Sequence, residues 1–193
     1  MSVECDQAQG GGWATDIEDD VGWHSYVITT YTVVEACLFD ESGDTTDPDI
    51  LLRNHVNTVT VASGSKLLEG LVWSWDPAND LAAILLREEL ENLEDAPPPS
   101  VGDKVAVLRN PGGHKETKVW GTLTRADREA LVPTTALDGG DAGGPLLDVD
   151  GRVVGVIVVD EEEGRLFAAP LPVLCQQLLD CSDVPSANWP DWP

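Results

Sequence analysis

The sequence predicts an all-β protein built as two small lobes, and three observations carry that prediction. Short runs of β-branched and aromatic residues recur along the chain, turn formers separate them at fairly regular intervals, and three consecutive prolines stand near the middle. Apolar runs of this length and spacing argue for an antiparallel barrel or sandwich. A Pro-Pro-Pro run cannot sit inside a ladder or a helix, so it reads as a connector. At 193 residues the chain suffices for one sizeable domain or two lobes sharing a core.

Taken in order, the expected strands are Tyr26–Val34 (YVITTYTVV), Asn57–Ser63, Leu71–Trp75, Leu81–Leu86 (LAAILL), Lys104–Leu108, Thr117–Thr124 and Arg152–Val159 (RVVGVIVV). Two segments read as helical: the acidic Arg87–Asp95 and Leu171–Asp180, where Pro172 suits a first helical turn. Ala96–Asp103 (APPPSVGD) is the connector, and the acidic, turn-rich Asp40–Asp49 is a solvated loop. The tail Ser186–Pro193 places a proline after Trp189 and after Trp192, which favours an extended backbone. Those rings either pack back on the body or dock on a partner.

Charge narrows the function. Asp and Glu outnumber Lys and Arg by 35 to 11, for a net charge of −24. Such a surface repels phosphate backbones and anionic lipid, which excludes nucleic acid and membrane as partners, and it draws in cationic peptides. No stretch reaches the ~18 apolar residues that span a bilayer. MSVECDQAQGGGW lacks the basic and apolar regions of a signal peptide, so a cytoplasmic location is expected. Cys5, Cys37, Cys175 and Cys181 form no C-x-x-C pair and have no nearby His. No metal site and no cofactor are expected, and reduced thiols are the default; a bridge from Cys5 to the C-terminal segment is the alternative.

Five blocks then appear in one order: VITTYTVVEAC, WDPANDLAAILL, VGDKVAVLRNPGG, TTALDGGDAGGPLLDVDGRVVGVIV and LFAAPLPVLCQQL. In that order they resemble the trypsin-like serine proteases, and most closely the Do-like (high-temperature-requirement) branch. The third block is similar to that branch's Gly-Asp-x-Val-x-x-x-Gly-Asn-Pro, and the fourth to its nucleophile loop. The resemblance implies two antiparallel β-barrels of the trypsin-like type with the active site in the cleft between them, followed by a short C-terminal helix. It divides the chain into an N-terminal barrel lobe (1–98), a C-terminal barrel lobe with its closing helix (99–181) and a Trp/Pro tail (182–193), with no PDZ-like extension expected.

The resemblance also assigns the catalytic positions. Thr32 stands where the family carries its general-base His, Asp80 aligns with the catalytic Asp, and Ala142 takes the place of the nucleophilic Ser. A hydroxyl has no basicity near neutral pH and a methyl group no attacking atom. His24, eight residues before Thr32, would sit about 26 Å away on an extended strand, and His55 and His114 fall in other segments. Gly140, Asp141 and Ala142 match the oxyanion loop, whose backbone N–H donors at Gly140 and Ala142 do not depend on the lost hydroxyl. Asp141 matches the residue that in trypsin pairs with a newly cut N-terminus, whereas the Do-like branch often has Asn there. Ala136 would floor the specificity pocket without a charge. A hydrogen bond from Thr32 to Asp80 is expected to replace the missing imidazole.

The function expected is a pseudoprotease, lacking nucleophile and general base, that binds a peptide or protein partner of basic character. The alternatives are a serine endopeptidase captured as a Ser-to-Ala variant with an unconventional base, and a structural subunit of a larger assembly. The oligomeric state is left open.

Overall fold

The computed structural model describes residues 1–6, 8–16, 24–38, 55–97, 99–109, 117–124, 130–131, 139–160 and 165–171. Thirteen strands among these form two sheets. The first holds β1 (Ser2–Cys5), β2 (Ala8–Gly11), β3 (Trp13–Asp16), β4 (Ser25–Thr29), β5 (Thr58–Ser63), β6 (Lys66–Asp76) and β7 (Leu81–Leu86). The second holds β8 (Lys104–Arg109), β9 (Thr117–Thr122), β10 (Ala130–Leu131), β11 (Pro145–Leu147), β12 (Val153–Asp160) and β13 (Arg165–Pro170). One short helix, α1 (Tyr31–Val34), follows β4 and runs into a 3₁₀ turn over Glu35–Cys37.

The two sheets close differently. In the first the strand order is β2-β1-β5-β6-β7-β4-β3, and its edge strands β2 and β3 are separated in the chain only by Gly12. A sheet whose two edges are joined by one residue must curl on itself, so this lobe is a nearly closed barrel. The second has the order β10-β13-β12-β11-β8-β9. Closing it would require a ladder between its two end strands, β9 and β10, and among the described residues there is none. The expectation of two barrels is therefore corrected: there is one nearly closed barrel and one open sheet. Among the described residues a short helix, α1, lies in the first half of the chain. Apart from Leu171, the expected C-terminal helix lies outside the described residues, as do Cys175, Cys181, Trp189 and Trp192.

β7 shows why its sequence is unbroken Leu-Ala-Ala-Ile-Leu-Leu. Ala82, Ile84 and Leu86 point into the barrel core with Val3, Val27, Val34, Val61 and Val72. Leu81 and Ala83 point the other way, into a second core shared with Leu147, Val156 and Val158 of the open sheet. Both faces of the strand are dry, so no polar alternation is needed. A third core, with Val105, Val107, Leu146 and Ile157, covers the far side of the open sheet. A β-bulge in β12 opposite Leu146 and Leu147 reverses the face alternation, sending Val153 to the shared core and Val154 to the far one.

Arg87–Asp95 is not helical. Its backbone is committed to neighbours on both sides: Leu90 N–H bonds Ser25 Oγ at 3.1 Å and Leu93 N–H bonds the Ala14 carbonyl at 3.2 Å. Ala96 N–H then bonds Val153 O at 2.7 Å, while Val153 N–H bonds Glu94 O at 2.8 Å. A segment that ties the barrel to the open sheet through its own N–H and C=O groups cannot also make i→i−4 bonds. Tertiary pairing here overrides a good local helix propensity.

A second correction concerns the thiols. Cys5 of β1 and Cys37 of the 3₁₀ turn are joined as a disulfide, with a Cα–Cα distance of 5.9 Å. Neither is a reduced thiol, and the partner of Cys5 is Cys37 rather than a residue of the C-terminal segment. Sequence spacing alone could not select this pairing, because it depends on α1 folding back over β1.

Candidate functional site

The Thr32–Asp80 pair is built from the first lobe. β4 ends at Thr29, and Thr30 is the extended N-cap residue (φ −95°, ψ 152°) from which α1 begins. Thr30 offers no side-chain cap to the first turn. Asp80 does so instead. Its Oδ1 accepts the Thr32 N–H at 2.8 Å and the Thr32 Oγ1–H at 2.8 Å, so the expected hydrogen bond is present and doubled. Asp80 is delivered by a tight turn whose first residue, Asp76, accepts the N–H of Ala78 at 3.0 Å. Asp80 itself takes a left-handed backbone (φ 51°), a conformation for which Asp and Asn are among the better-suited side chains.

Burial holds the Asp80 carboxyl above the ordinary carboxylate range. The bonds from Thr32 and the Tyr31 N–H pull the other way and do not overcome it, and the Glu35 charge adds to the rise. An imidazole at position 32 would offer a counter-charge on protonation; a threonine offers only dipoles. The result is a half-buried carboxylate that caps the start of a helix.

The opposite wall comes from the second lobe. Gly139–Asp141 make a 3₁₀ turn, and Gly143 follows with φ +82°. Gly143 N–H bonds Ile157 O at 2.7 Å, and Ile157 N–H bonds Gly144 O at 2.8 Å, which pins the loop to β12. The loop also lies directly on β2. Gly11 N–H bonds the Ala142 carbonyl at 2.6 Å, and Thr29 Oγ1 donates to Gly11 O at 2.8 Å. A Cβ built on Gly143 would stand 2.5 Å from both Gly11 O and Thr29 Oγ1, so only glycine fits. At Gly10 a Cβ would press on the Val33 side chain and on Ala142 O. Thus Gly10 lies between the helix residue next to Thr32 and the residue in the Ser position.

The Ala142 side chain is a methyl group in a residue that is 7% exposed. Asp141 is buried and pairs with Arg109 at the end of β8, with Nε–H donating to Oδ1 at 2.7 Å. The resemblance did not point to this partner, an arginine 32 residues earlier in the chain. One signal did exist, since Arg109 occupies the first position of the Gly-Asn-Pro triplet. His24 is exposed and bonds through its N–H to Leu86 O, and His55 pairs with Glu69 at 2.6 Å. Ala136 and His114 lie outside the described residues. No group of three or more His, Cys, Asp or Glu side chains suited to a metal ion occurs among the described residues. Nor, among them, is any helix long and apolar enough to cross a membrane.

Comparison with known proteins gives a consistent answer. The trypsin-like peptidase domain family matches residues 12–156. Serine protease Rv3671c of Mycobacterium tuberculosis is 29% identical over 162 residues, covering 68% of this chain and 40% of that protein. A probable periplasmic serine endoprotease of the DegP-like type from Chlamydia pneumoniae is 31% identical over 135 residues, covering 60% and 28%. The chain thus spans two fifths or less of the length of these curated relatives. Among solved structures, Rv3671c protease in an inactive form superposes with a TM-score of 0.66 at 23% identity, covering 93% of this chain and 86% of that one. The serine endoprotease from Yersinia pestis gives 0.66 at 20% identity, covering 91% and 59%. From the curled barrel, the glycine-bound loop and this family match together, the chain belongs to the trypsin-like peptidase domain family and is related to its Do-like serine proteases.

Proposed function

We propose that this protein is a pseudoprotease, a trypsin-like domain that binds an extended peptide in the cleft and does not cleave it. The observation that carries the reading is the Thr32–Asp80 pair. The carboxylate that would orient a catalytic imidazole is instead bonded at 2.8 Å to the hydroxyl and N–H of a threonine. A general base needs a pKa near the working pH and must reach the nucleophile; the threonine hydroxyl has no basicity there, and Asp80 is bonded to it instead of to an imidazole. With Ala142 opposite, a substrate carbonyl would meet no attacking oxygen. The three groups of a triad act as a unit, so losing two leaves on the order of 10³–10⁴ over water, negligible against an amide bond.

What supports a binding role is the frame around the missing groups. The loop over Gly139–Gly144 is held by backbone bonds to β2 and β12 that need no serine hydroxyl. On this reading a peptide carbonyl or terminal carboxylate docks against the loop of Gly140, Asp141 and Ala142. Ala136, at the position the resemblance gives to the pocket floor, carries no charge, and on this reading the peptide adds as a strand beside the second lobe. The net charge of −24 favours a basic ligand. The division into lobes 1–98 and 99–181 with a tail over 182–193 belongs to the same proposal. The Cys5–Cys37 bridge favours an oxidising compartment over the cytoplasm that the N-terminal sequence suggests.

The test is a titration of this chain against a library of extended, Lys- and Arg-containing peptides, followed by the same titration of Thr32→Trp. Thr32 is exposed, so the larger side chain fills the cleft without entering the core. The expected result is micromolar binding that Thr32→Trp weakens about tenfold or more at unchanged melting temperature. Absence of binding by any peptide, or binding indifferent to Thr32→Trp, would overturn the proposal.

A further inference from the structure

The oxyanion loop contains a charge that the Do-like pattern does not need. Asp141 is almost wholly enclosed, with a side chain 1% exposed, in a branch where Asn often stands at that position. A buried carboxylate is costly unless a cation and hydrogen bonds accompany it. In trypsin that cation is a newly cut N-terminus. Here the guanidinium of Arg109 fills the role, at 2.7 Å and itself only 17% exposed.

Arg109 is also a departure, because the matching triplet of the Do-like pattern is Gly-Asn-Pro and this chain reads Arg109-Asn110-Pro111. Two departures 32 residues apart in sequence are thus the two ends of one buried ion pair. The fold explains why they meet. β8 and β11 are antiparallel with Leu146 opposite Val107 and Leu147 opposite Ala106. Extending that register by two residues places Arg109 level with Gly144, at the base of the loop. A Cβ on Gly144 would stand 3.3 Å from Leu108 O and 3.1 Å from Asp141 O, so the end of β8 and the loop are in contact. At that position a glycine could not reach the loop, while an arginine turned inward can.

We infer that Arg109 is the positioning residue of the Gly139–Gly144 loop, an internal counter-ion that fixes its conformation without a free amino terminus. Asp141 and Arg109 act as a matched pair: each alone is a liability, and together they shape the loop. The inference concerns how the loop is held, so it stands apart from whether a peptide binds there.

Amide hydrogen exchange over Gly139–Gly144, measured on the peptide-free protein and referenced to β7, tests it. Four proteins are compared: the chain as given, Arg109→Gly, Asp141→Asn and the double variant. Arg109→Gly should speed loop exchange about tenfold or more, because it takes the guanidinium from a buried carboxylate. Asp141→Asn should have a smaller effect, since it leaves a partly exposed guanidinium. The double variant restores the Gly and Asn of the Do-like pattern and should return to within about threefold of the starting protein. Unchanged loop exchange in Arg109→Gly would overturn the inference, as would a double variant as fast as the product of the singles. Should Arg109→Gly fail to fold, the double variant must fold and Arg109→Lys must exchange at an intermediate rate; failure of either overturns it as well. Loss of peptide binding with these exchange rates intact would count against the proposed function alone.

Discussion

On the proposed reading, the two walls of the cleft lack catalytic chemistry in different ways. On the barrel wall, Asp80 accepts both the N–H and the hydroxyl of Thr32, so its hydrogen bonding is spent on a helix start. On the loop wall, the deficit is one oxygen atom at Ala142, and the backbone bonds from Gly11, Gly143 and Ile157 are all in place. The contrast teaches where the fold stores its geometry. The loop is held by main-chain groups, glycines and the Arg109–Asp141 pair, none of which registers the loss of a hydroxyl. The acid–base pair consists of side chains, and removing one obliges the other to find a substitute.

The sharpest way to break this contrast is to attack the loop through its backbone. Gly143→Ala places a methyl 2.5 Å from Gly11 O and Thr29 Oγ1 at a positive φ. A loss on the order of 4 kcal/mol is expected in denaturant unfolding. Reduction of the Cys5–Cys37 bridge comes next. It closes 32 residues of chain, and the chain-entropy relation gives about 3–4 kcal/mol, to be read as the midpoint difference with and without reductant. Because the bridge anchors the turn following α1, the barrel wall should loosen more than the loop wall, which hydrogen exchange resolves. Thr29→Val, which removes the buried donor to Gly11 O, should cost about 1–2 kcal/mol.

The smallest effect is expected at the position that matters most in an active protease. Burial raises the Asp80 carboxyl above its unfolded value, so the folded state disfavours the charge. Stability contributed by the protonated form is therefore gained as pH falls from neutral through the raised value, and levels off below the ordinary carboxylate range. Asp95, also raised by burial, acts in the same direction. Asp80→Asn should change stability at neutral pH by no more than about 1 kcal/mol and flatten the profile across that acid window. A large loss at neutral pH would mean that the charge itself is needed. Asp148 has the opposite sign. Although its desolvation raises it, bonds from Arg152 and Asp150 leave it lowered, so its share of stability fades as pH falls.

Much of this was legible in the sequence because strand-forming runs are local. Leu81–Leu86 and the core of Arg152–Val159 could be read from β-branched and aliphatic density alone, and they occupy β7 and β12. The Thr32–Asp80 contact followed from two blocks in family order. Other features were not legible because long-range pairing decides them. The acidic Arg87–Asp95 segment has helical composition, and only the bonds of Leu90, Leu93 and Ala96 to both sheets explain its extended path. The openness of the second sheet rests on whether its end strands β9 and β10 meet, which no strand propensity reveals. Cys5 and Cys37 share no spacing signature; they meet because α1 turns the chain back over β1. Arg109 and Asp141 meet through a register between β8 and β11 that the sequence does not print.

Labelling by a fluorophosphonate, which reacts only with an activated serine, decides whether the barrel wall has truly ceased to supply a base. Three proteins suffice: the chain as given, Ala142→Ser, and Ala142→Ser combined with Thr32→His. No labelling is expected of the first two, because a restored hydroxyl opposite a threonine has nothing to take its proton, and labelling is expected of the third, whose loop is already formed. Labelling of Ala142→Ser alone, accompanied by cleavage of a protein substrate, would contradict it.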